Sequence, residues 1–393
     1  MKADIIPLVA GSLIFLSSLI SLRVGLSVAI IEITVGAMAG QIGFHSEDWM
    51  NFIAGYGGIL LTFLAGTEID SALMKRKFKE SFLIGFFSFL FPFLGVSVFT
   101  HFGLGWPPRP ALIAGIALST TSLAVVYSVL VETGLSKTEV GKLLMAATFV
   151  TDISVALAMS IIFIDASIYT LVFVIVSFLI IYVASRFSGK IFKNPRLKNK
   201  IIEPEIKYVF LLLLAFIFFA QLGKSHAVLP AFLLGLFMAK HFHGSTAEKA
   251  VLNRLKTVAY AFITPIFFIV GGLKISLPLI ISAFGLFLLL FAIKIIAKFV
   301  GVYFLARKYI PSGSMYTTLL MSTGLTFGTI ASLFGLQSGF ITQSQYSVLV
   351  GVVVASAIIP TFIAQRWFAP VEEEDLLDGN GVNGNNAHQK ENE

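Results

Sequence analysis

Charge is scarce in this chain. Only 12% of its 393 residues are Asp, Glu, Lys or Arg, about half the share of an ordinary soluble domain. That excludes a water-facing globule of this length. Cysteine is absent, which excludes a disulfide framework, a thiolate nucleophile and a Cys-ligated metal site. The six histidines are scattered, and the only close pair, His241 and His243, sits in a polar stretch. Neither HExxH nor a Walker A loop occurs, and no GxGxxG opens a βαβ unit, so the common soluble-enzyme signatures are missing.

What fills the chain instead is apolar: 57% of residues are hydrophobic and the mean hydropathy is +0.91. The apolar residues come in long runs, not in the alternation of a membrane barrel. The class is therefore an all-α integral membrane protein. A helix needs roughly 20 apolar residues to span a bilayer. On that ruler about thirteen spans are predicted, near 4–22, 26–43, 52–72, 80–103, 109–132, 139–163, 167–188, 206–222, 225–242, 256–273, 277–306, 313–336 and 344–366. Lys2 and Asp4 precede the first run without a small-residue cleavage site after it, so that run reads as a span and not as a signal peptide. Residues 1–368 form one transmembrane domain. Residues 369–393, with an acidic run at Glu372–Asp375 and a Gly- and Asn-rich end, cannot bury a core and read as a disordered tail.

Basic residues test this count. With thirteen spans, 21 of them fall on one side, among them Arg23, Lys75, Lys142, Arg196, Lys256 and Arg366. Four fall on the other: Lys2, Arg109, Lys224 and Lys274. A miscounted helix would scramble that bias. By the positive-inside rule the C-terminus is cytoplasmic and the N-terminus outside.

An internal repeat runs through the chain at an offset of about 205 residues. Phe63-Leu-Ala-Gly66 closes the third span and Phe268-Ile-Val-Gly271 the tenth, and Thr121 matches Thr326. Seven spans separate the copies, so equivalent segments face opposite ways. Spans 2–6 and 9–13 are expected to be inverted repeats, an arrangement of secondary transporters with the binding site near the midplane.

An ionisable side chain at mid-helix costs at least about 2.5–3.5 kcal/mol and marks function by default. Asp152 is the clearest case, more than ten residues from either end of its span and too short to reach the interface. Lys298 follows, with Lys294 one turn earlier on the same face. Glu32 lies in the second span; Glu68 and Asp70 close the third. Burial favours the protonated form of a carboxylate and a nearby cation the ionised form. One such group then holds either a proton or a monovalent cation, and each displaces the other. No cofactor or covalent step is needed. A cation also needs oxygens in place of its water. Ser119-Thr120-Thr121-Ser122 in the fifth span and Ser322-Thr323-Gly324-Leu-Thr326 in the twelfth supply hydroxyls and helix-breaking chemistry at matching places.

These motifs, in this order, resemble the monovalent cation:proton antiporter family, nearest its second subfamily of bacterial and archaeal sodium or potassium exchangers. The resemblance covers about residues 10–366 and rests on Gly25 to Gly40, Phe63 to Asp70, Thr121 to Val126, Thr151-Asp152, Ala231 to Gly235, Pro265 to Gly271 and Lys298 to Gly301. It implies thirteen helices, a core and a dimerisation domain, a homodimer, and two discontinuous helices crossing beside Asp152. It implies that Asp152 binds cation and proton alternately and that Lys298 is the intramembrane basic partner. Thr151, Thr121, Ser122 and Thr326 are the candidate further ligands of the transported ion. Members with two adjacent acids are usually electrogenic. Here the first position is Thr151, which cannot ionise, so one proton per cation and electroneutral exchange are expected. The substrate is Na⁺ (with Li⁺ or K⁺ left open), exchanged for H⁺ across the cell membrane. The alternatives are a K⁺/H⁺ antiporter or a passive cation channel. No partner besides the lipid bilayer and a second copy is expected, and no nucleic acid.

Overall fold

The computed structural model describes residues 5–24, 27–67, 77–133, 135, 138–163, 168–193, 202–223, 227–239, 242 and 246–368. Glu68, Asp70 and the 369–393 tail lie outside the described residues.

Every regular element among the described residues is helical: α1 (Ile6–Val24), α2 (Val28–Gln41), α3 (Asp48–Thr67), α4 (Phe78–Val98), α5 (Pro108–Ser119), α6 (Leu123–Glu132), α7 (Glu139–Ile162), α8 (Ile168–Lys193), α9 (Pro204–Leu222), α10 (Val228–Met238), α11 (Thr246–Val258), α12 (Thr264–Leu273), α13 (Leu277–Ser282), α14 (Phe284–Tyr309), α15 (Ser314–Met321), α16 (Thr326–Gln337) and α17 (Gln343–Trp367), with short π and 3₁₀ turns between some of them. Among the described residues, ten helical segments are long and apolar enough to cross a membrane. The protein is a multi-pass membrane protein.

Several expected spans differ in detail. The second and ninth are α2 and α10, of 14 and 11 residues, shorter than a membrane is thick at 1.5 Å per residue. The tenth begins earlier than hydropathy suggests: α11 runs through a π turn at Ala259–Ile263 straight into α12. Pro265 explains the slip, because it has no N–H to continue the regular ladder just beyond that turn. The fifth and twelfth are interrupted in mid-course, as the hydroxyl and glycine clusters predicted.

Small residues set the helix pairing. α2 lies along α12 and α3 along α10 at backbone contact. A Cβ on Gly36 would strike the Ile269 carbonyl, and one on Gly66 the Phe232 carbonyl; Gly272 and Gly235 face back at Ile33 and Phe63 in the same way. In lipid no hydrophobic drive joins helices, so such close approach is what holds them. α4 packs between α5, α7 and α14. The buried apolar side chains form two clusters, a large one centred on α5–α7 and α14–α17 and a second one on α8–α11 against one face of α3. α1 is hardly buried, and Phe178, Tyr182, Ile296 and Phe304 of α8 and α14 face outward, which suits a lipid surround.

Candidate cation site at the crossing of two broken helices

Each break arises from its own side chains. Ser119 Oγ donates to the Ile116 carbonyl (2.9 Å) and Thr120 Oγ1 to that of Ala117 (3.2 Å). Ser322 Oγ donates to Thr318 O (2.7 Å) and Thr323 Oγ1 to Leu320 O (2.8 Å). These bonds satisfy the last carbonyls of α5 and α15 and replace the helix ladder locally. Thr120 is then extended, at φ −66° and ψ 155°.

The two breaks touch. Thr121 Oγ1 donates to Met321 O at 2.9 Å, and the Ser122 N–H reaches Thr323 Oγ1 at 3.4 Å. The discontinuous crossing helices expected from the resemblance are therefore present. Glycine permits the crossing: a Cβ on Gly324 would lie 2.8 Å from Thr120 Oγ1, and one on Gly328 2.8 Å from Ala117 O. The negative ends of α5 and α15 and the positive ends of α6 and α16 meet in this small volume.

Two lysines of α14 reach it. Lys298 and Lys294 are both fully buried. Lys298 Nζ donates to Ser88 Oγ at 2.8 Å and Thr121 Oγ1 at 3.0 Å. Lys294 Nζ donates to Ser356 Oγ at 2.7 Å.

Asp152 comes from the middle of α7, whose start is fixed by Thr138 Oγ1 accepting from the Gly141 N–H. Asp152 is 1% exposed, and its Oδ1 has no hydrogen-bond partner among the described residues. It lines a cavity of about 340 Å³ together with Leu61, Thr121, Tyr127, Lys256, Tyr260 and Thr326. Asp152, Thr121 and Thr326 thus line one cavity, and Lys298 is tied to it through Thr121. A second cavity, of about 310 Å³, is lined by Asn51, Tyr56, Gly58, Gln221, Ile330 and Gln337. Both lie between α3 and α16. Leu61 and Phe327 border the first, and Gly58 and Ile330 the second, one turn along each helix.

Two expected ligands lie elsewhere. Thr151 Oγ1 donates to Gly85 O (3.0 Å) and Ala147 O (3.2 Å), toward α4. Ser122 Oγ accepts from the Val125 N–H at 3.4 Å, capping α6. Neither lines the Asp152 cavity. Glu32 is buried on α2 and also stands outside it. Ser88 was not foreseen. Its signal was the buried stripe Ser81, Gly85, Ser88 and Pro92 at helical spacing within a Phe-rich run.

The chain is similar to several known proteins. A protein of Methanocaldococcus jannaschii named "Probable Na(+)/H(+) antiporter 3" is 25% identical over 85% of this chain and 88% of its own length. The Na(+)/H(+) antiporter of Enterococcus hirae is 27% identical over 90% of this chain and 94% of its own. The solved structure of the sodium proton antiporter MjNhaP1 from Methanocaldococcus jannaschii superimposes with a TM-score of 0.70 at 15% identity, covering 93% of this chain and 99% of that one, a likeness of fold. Residues 11–369 match the family described as "Sodium/hydrogen exchanger, transmembrane". With that match over nearly the whole chain, and two broken helices crossing beside a buried aspartate, the protein belongs to the transmembrane sodium/hydrogen exchanger family.

Proposed function

We propose that this chain is a secondary active antiporter that exchanges H⁺ for Na⁺, with the Asp152 carboxylate taking the two in turn. The observation that carries this is one side chain: the buried Asp152 carboxylate lines a cavity beside the helix crossing, and its Oδ1 has no hydrogen-bond partner among the described residues. A buried carboxylate with an open coordination position either keeps a proton or takes a cation. Thr121 and Thr326, which line the same cavity, supply the hydroxyls that take over from the ion's water, and Lys298 holds Thr121 in place. The names of the relatives support Na⁺ as the cation.

Thirteen crossings follow if α5–α6, α11–α12, α13–α14 and α15–α16 each count once. Inverted repeats of spans 2–6 and 9–13 are supported by reciprocal packing. An operation that carries span 2 to 9 and span 3 to 10 turns the α2–α12 pair into the α10–α3 pair, and both are close backbone contacts. The cavity beside Asp152 ends at Tyr127, Lys256 and Tyr260, on the side rich in basic residues. With that side cytoplasmic, the conformation is inward-facing, in a cell membrane, with the N-terminus outside. The second cavity lies on the other path. The residues bordering the two cavities, Gly58 and Leu61 on α3 and Phe327 and Ile330 on α16, are one turn apart, a short step for a rigid-body shift. With Thr151 hydrogen-bonded toward α4, one ionisable group serves the exchange, which gives one proton per cation and no net charge moved. A homodimer completes the reading by family likeness, and the mass of the detergent-solubilised particle tests it.

The test uses purified protein in liposomes with a pH-sensitive dye inside. After a proton gradient is imposed, NaCl or KCl is added outside. Wild type dissipates the gradient on NaCl addition, and Asp152→Asn does not. Normal exchange by folded Asp152→Asn refutes the assignment. Flux through wild type with no dependence on the proton gradient replaces the antiporter with a channel.

A further inference from the structure

The two cavities differ in charge. Among the described residues, the charged side chains that line the first are Asp152 and Lys256, of opposite sign. None of those that line the second is charged; its polar groups are Asn51, Tyr56, Gln221 and Gln337. A cation that reaches Asp152 through the first cavity therefore shares it with an ammonium. The other path offers neutral groups.

Lys256 is held in place by the backbone that carries it. It stands in the last turn of α11. Two residues earlier, Arg254 Nε pairs with Glu203 Oε2 at 2.8 Å, which ties α11 to the start of α9. Just beyond Lys256 comes the π turn Ala259–Ile263. It lies against α3, where a Cβ on Gly57 would stand 3.1 Å from the Ile263 carbonyl. Tyr127 and Tyr260, which line the same cavity, are exposed, Lys256 is half-buried and Asp152 is buried. A positive charge on the wall of a narrow cleft with low-dielectric sides lowers the local concentration of cations and weakens their binding there.

We propose that Lys256 makes the exchanger asymmetric toward its cation: its ammonium raises the Na⁺ concentration needed for half-saturation from the side of the Asp152 cavity and leaves the opposite side unaffected. This rests on the exchange reading above. Lys256 acts here through its charge and not as a ligand of the ion. It alters affinity and leaves the number of ions exchanged per cycle alone.

The test measures half-saturating Na⁺ for proton flux from each face separately, in inside-out and right-side-out membrane vesicles, at alkaline pH where protons compete least. Lys256→Gln is expected to lower it about two- to fivefold on the Lys256 face, the effect of one unit charge roughly 10 Å away at an effective dielectric between those of a protein surface and water. The opposite face is expected to keep the wild-type value. Lys256→Arg, which keeps the charge, is expected to stay near wild type on both faces. Tyr127→Lys, which adds an ammonium to the same cavity at an exposed position, is expected to raise half-saturating Na⁺ on the Lys256 face by a similar factor. A lysine that only supports the fold changes the maximal rate and the unfolding temperature without favouring one face. The inference is therefore overturned if Lys256→Gln keeps the wild-type half-saturation on the Lys256 face, or shifts it equally on both. If Lys256→Gln does not fold, a wild-type value in Tyr127→Lys overturns it. Absence of any Na⁺-coupled flux in wild type fails the exchange reading instead, so the two failures are distinct.

Discussion

Replacing Thr121 with valine removes one hydroxyl and little else. That hydroxyl is where the site is tied together. It donates to Met321 O across the crossing and accepts from Lys298, with Ser88 Oγ 3.4 Å away. Valine leaves the Met321 carbonyl without that donor and leaves Lys298 with Ser88 alone. A neutral interhelical hydrogen bond in a membrane protein contributes about 0.6 kcal/mol on average and up to about 1.7, and one to a charged group about 1.5–3 kcal/mol. Together Thr121→Val costs about 2–5 kcal/mol. At about 1.4 kcal/mol per factor of ten, that is roughly a 30- to 4,000-fold loss of preference for the crossed arrangement. Two readouts follow. The unfolding temperature in detergent falls by several degrees, and Na⁺-driven proton flux falls at least tenfold at equal protein. Thr121→Ser, which keeps the oxygen, retains most of both. Wild-type flux and stability in Thr121→Val refute this reasoning. So does a Thr121→Ser variant as impaired as the valine, because the methyl group and not the hydroxyl would then be what matters.

The other substitutions probe separate parts of the structure. Asp152→Asn abolishes coupled exchange while the protein still purifies as a folded particle, read by the liposome assay and size-exclusion chromatography. Thr151→Val keeps transport within a few-fold of wild type and loses about 1 kcal/mol of stability, because its hydroxyl serves Gly85 O and not the cavity; loss of Na⁺ affinity in this variant would make Thr151 a ligand after all. Gly235→Ala drives a Cβ into the Phe63 carbonyl and close to the Gly66 Cα, at 3.1 Å. Overpacking of this kind costs about 1–3 kcal/mol or more, seen as a lower unfolding temperature with half-saturating Na⁺ unchanged in the surviving protein.

Hydropathy alone determined the membrane class, because a bilayer reads the chain through a local rule: about 20 apolar residues per crossing and no unpaired backbone. The two breaks were legible for a similarly local reason. Runs of Ser and Thr beside glycine compete with their own helix, and the bonds from Ser119, Thr120, Ser322 and Thr323 back to nearby carbonyls are that competition realised. Asp152 and Lys298 stood out because charge in lipid is costly wherever it points.

Where each side chain points is another matter. Asp152 and Thr151 are neighbours in sequence, about 100° apart around α7, and only the packing of α7 on α4 decides which one meets the cavity. Lys294 and Lys298 share a face of one helix, yet they meet different partners, Ser356 of α17 for one and Ser88 and Thr121 for the other. Ser88 becomes the partner of Lys298 only because α4 packs against α14. Rotation and approach of this kind are set by backbone contacts at Gly36, Gly66, Gly235 and Gly272, between residues as much as 239 positions apart. The chain carries the chemistry of the site in its local pattern; helix-to-helix contact, which no local pattern encodes, decides which of those groups meet.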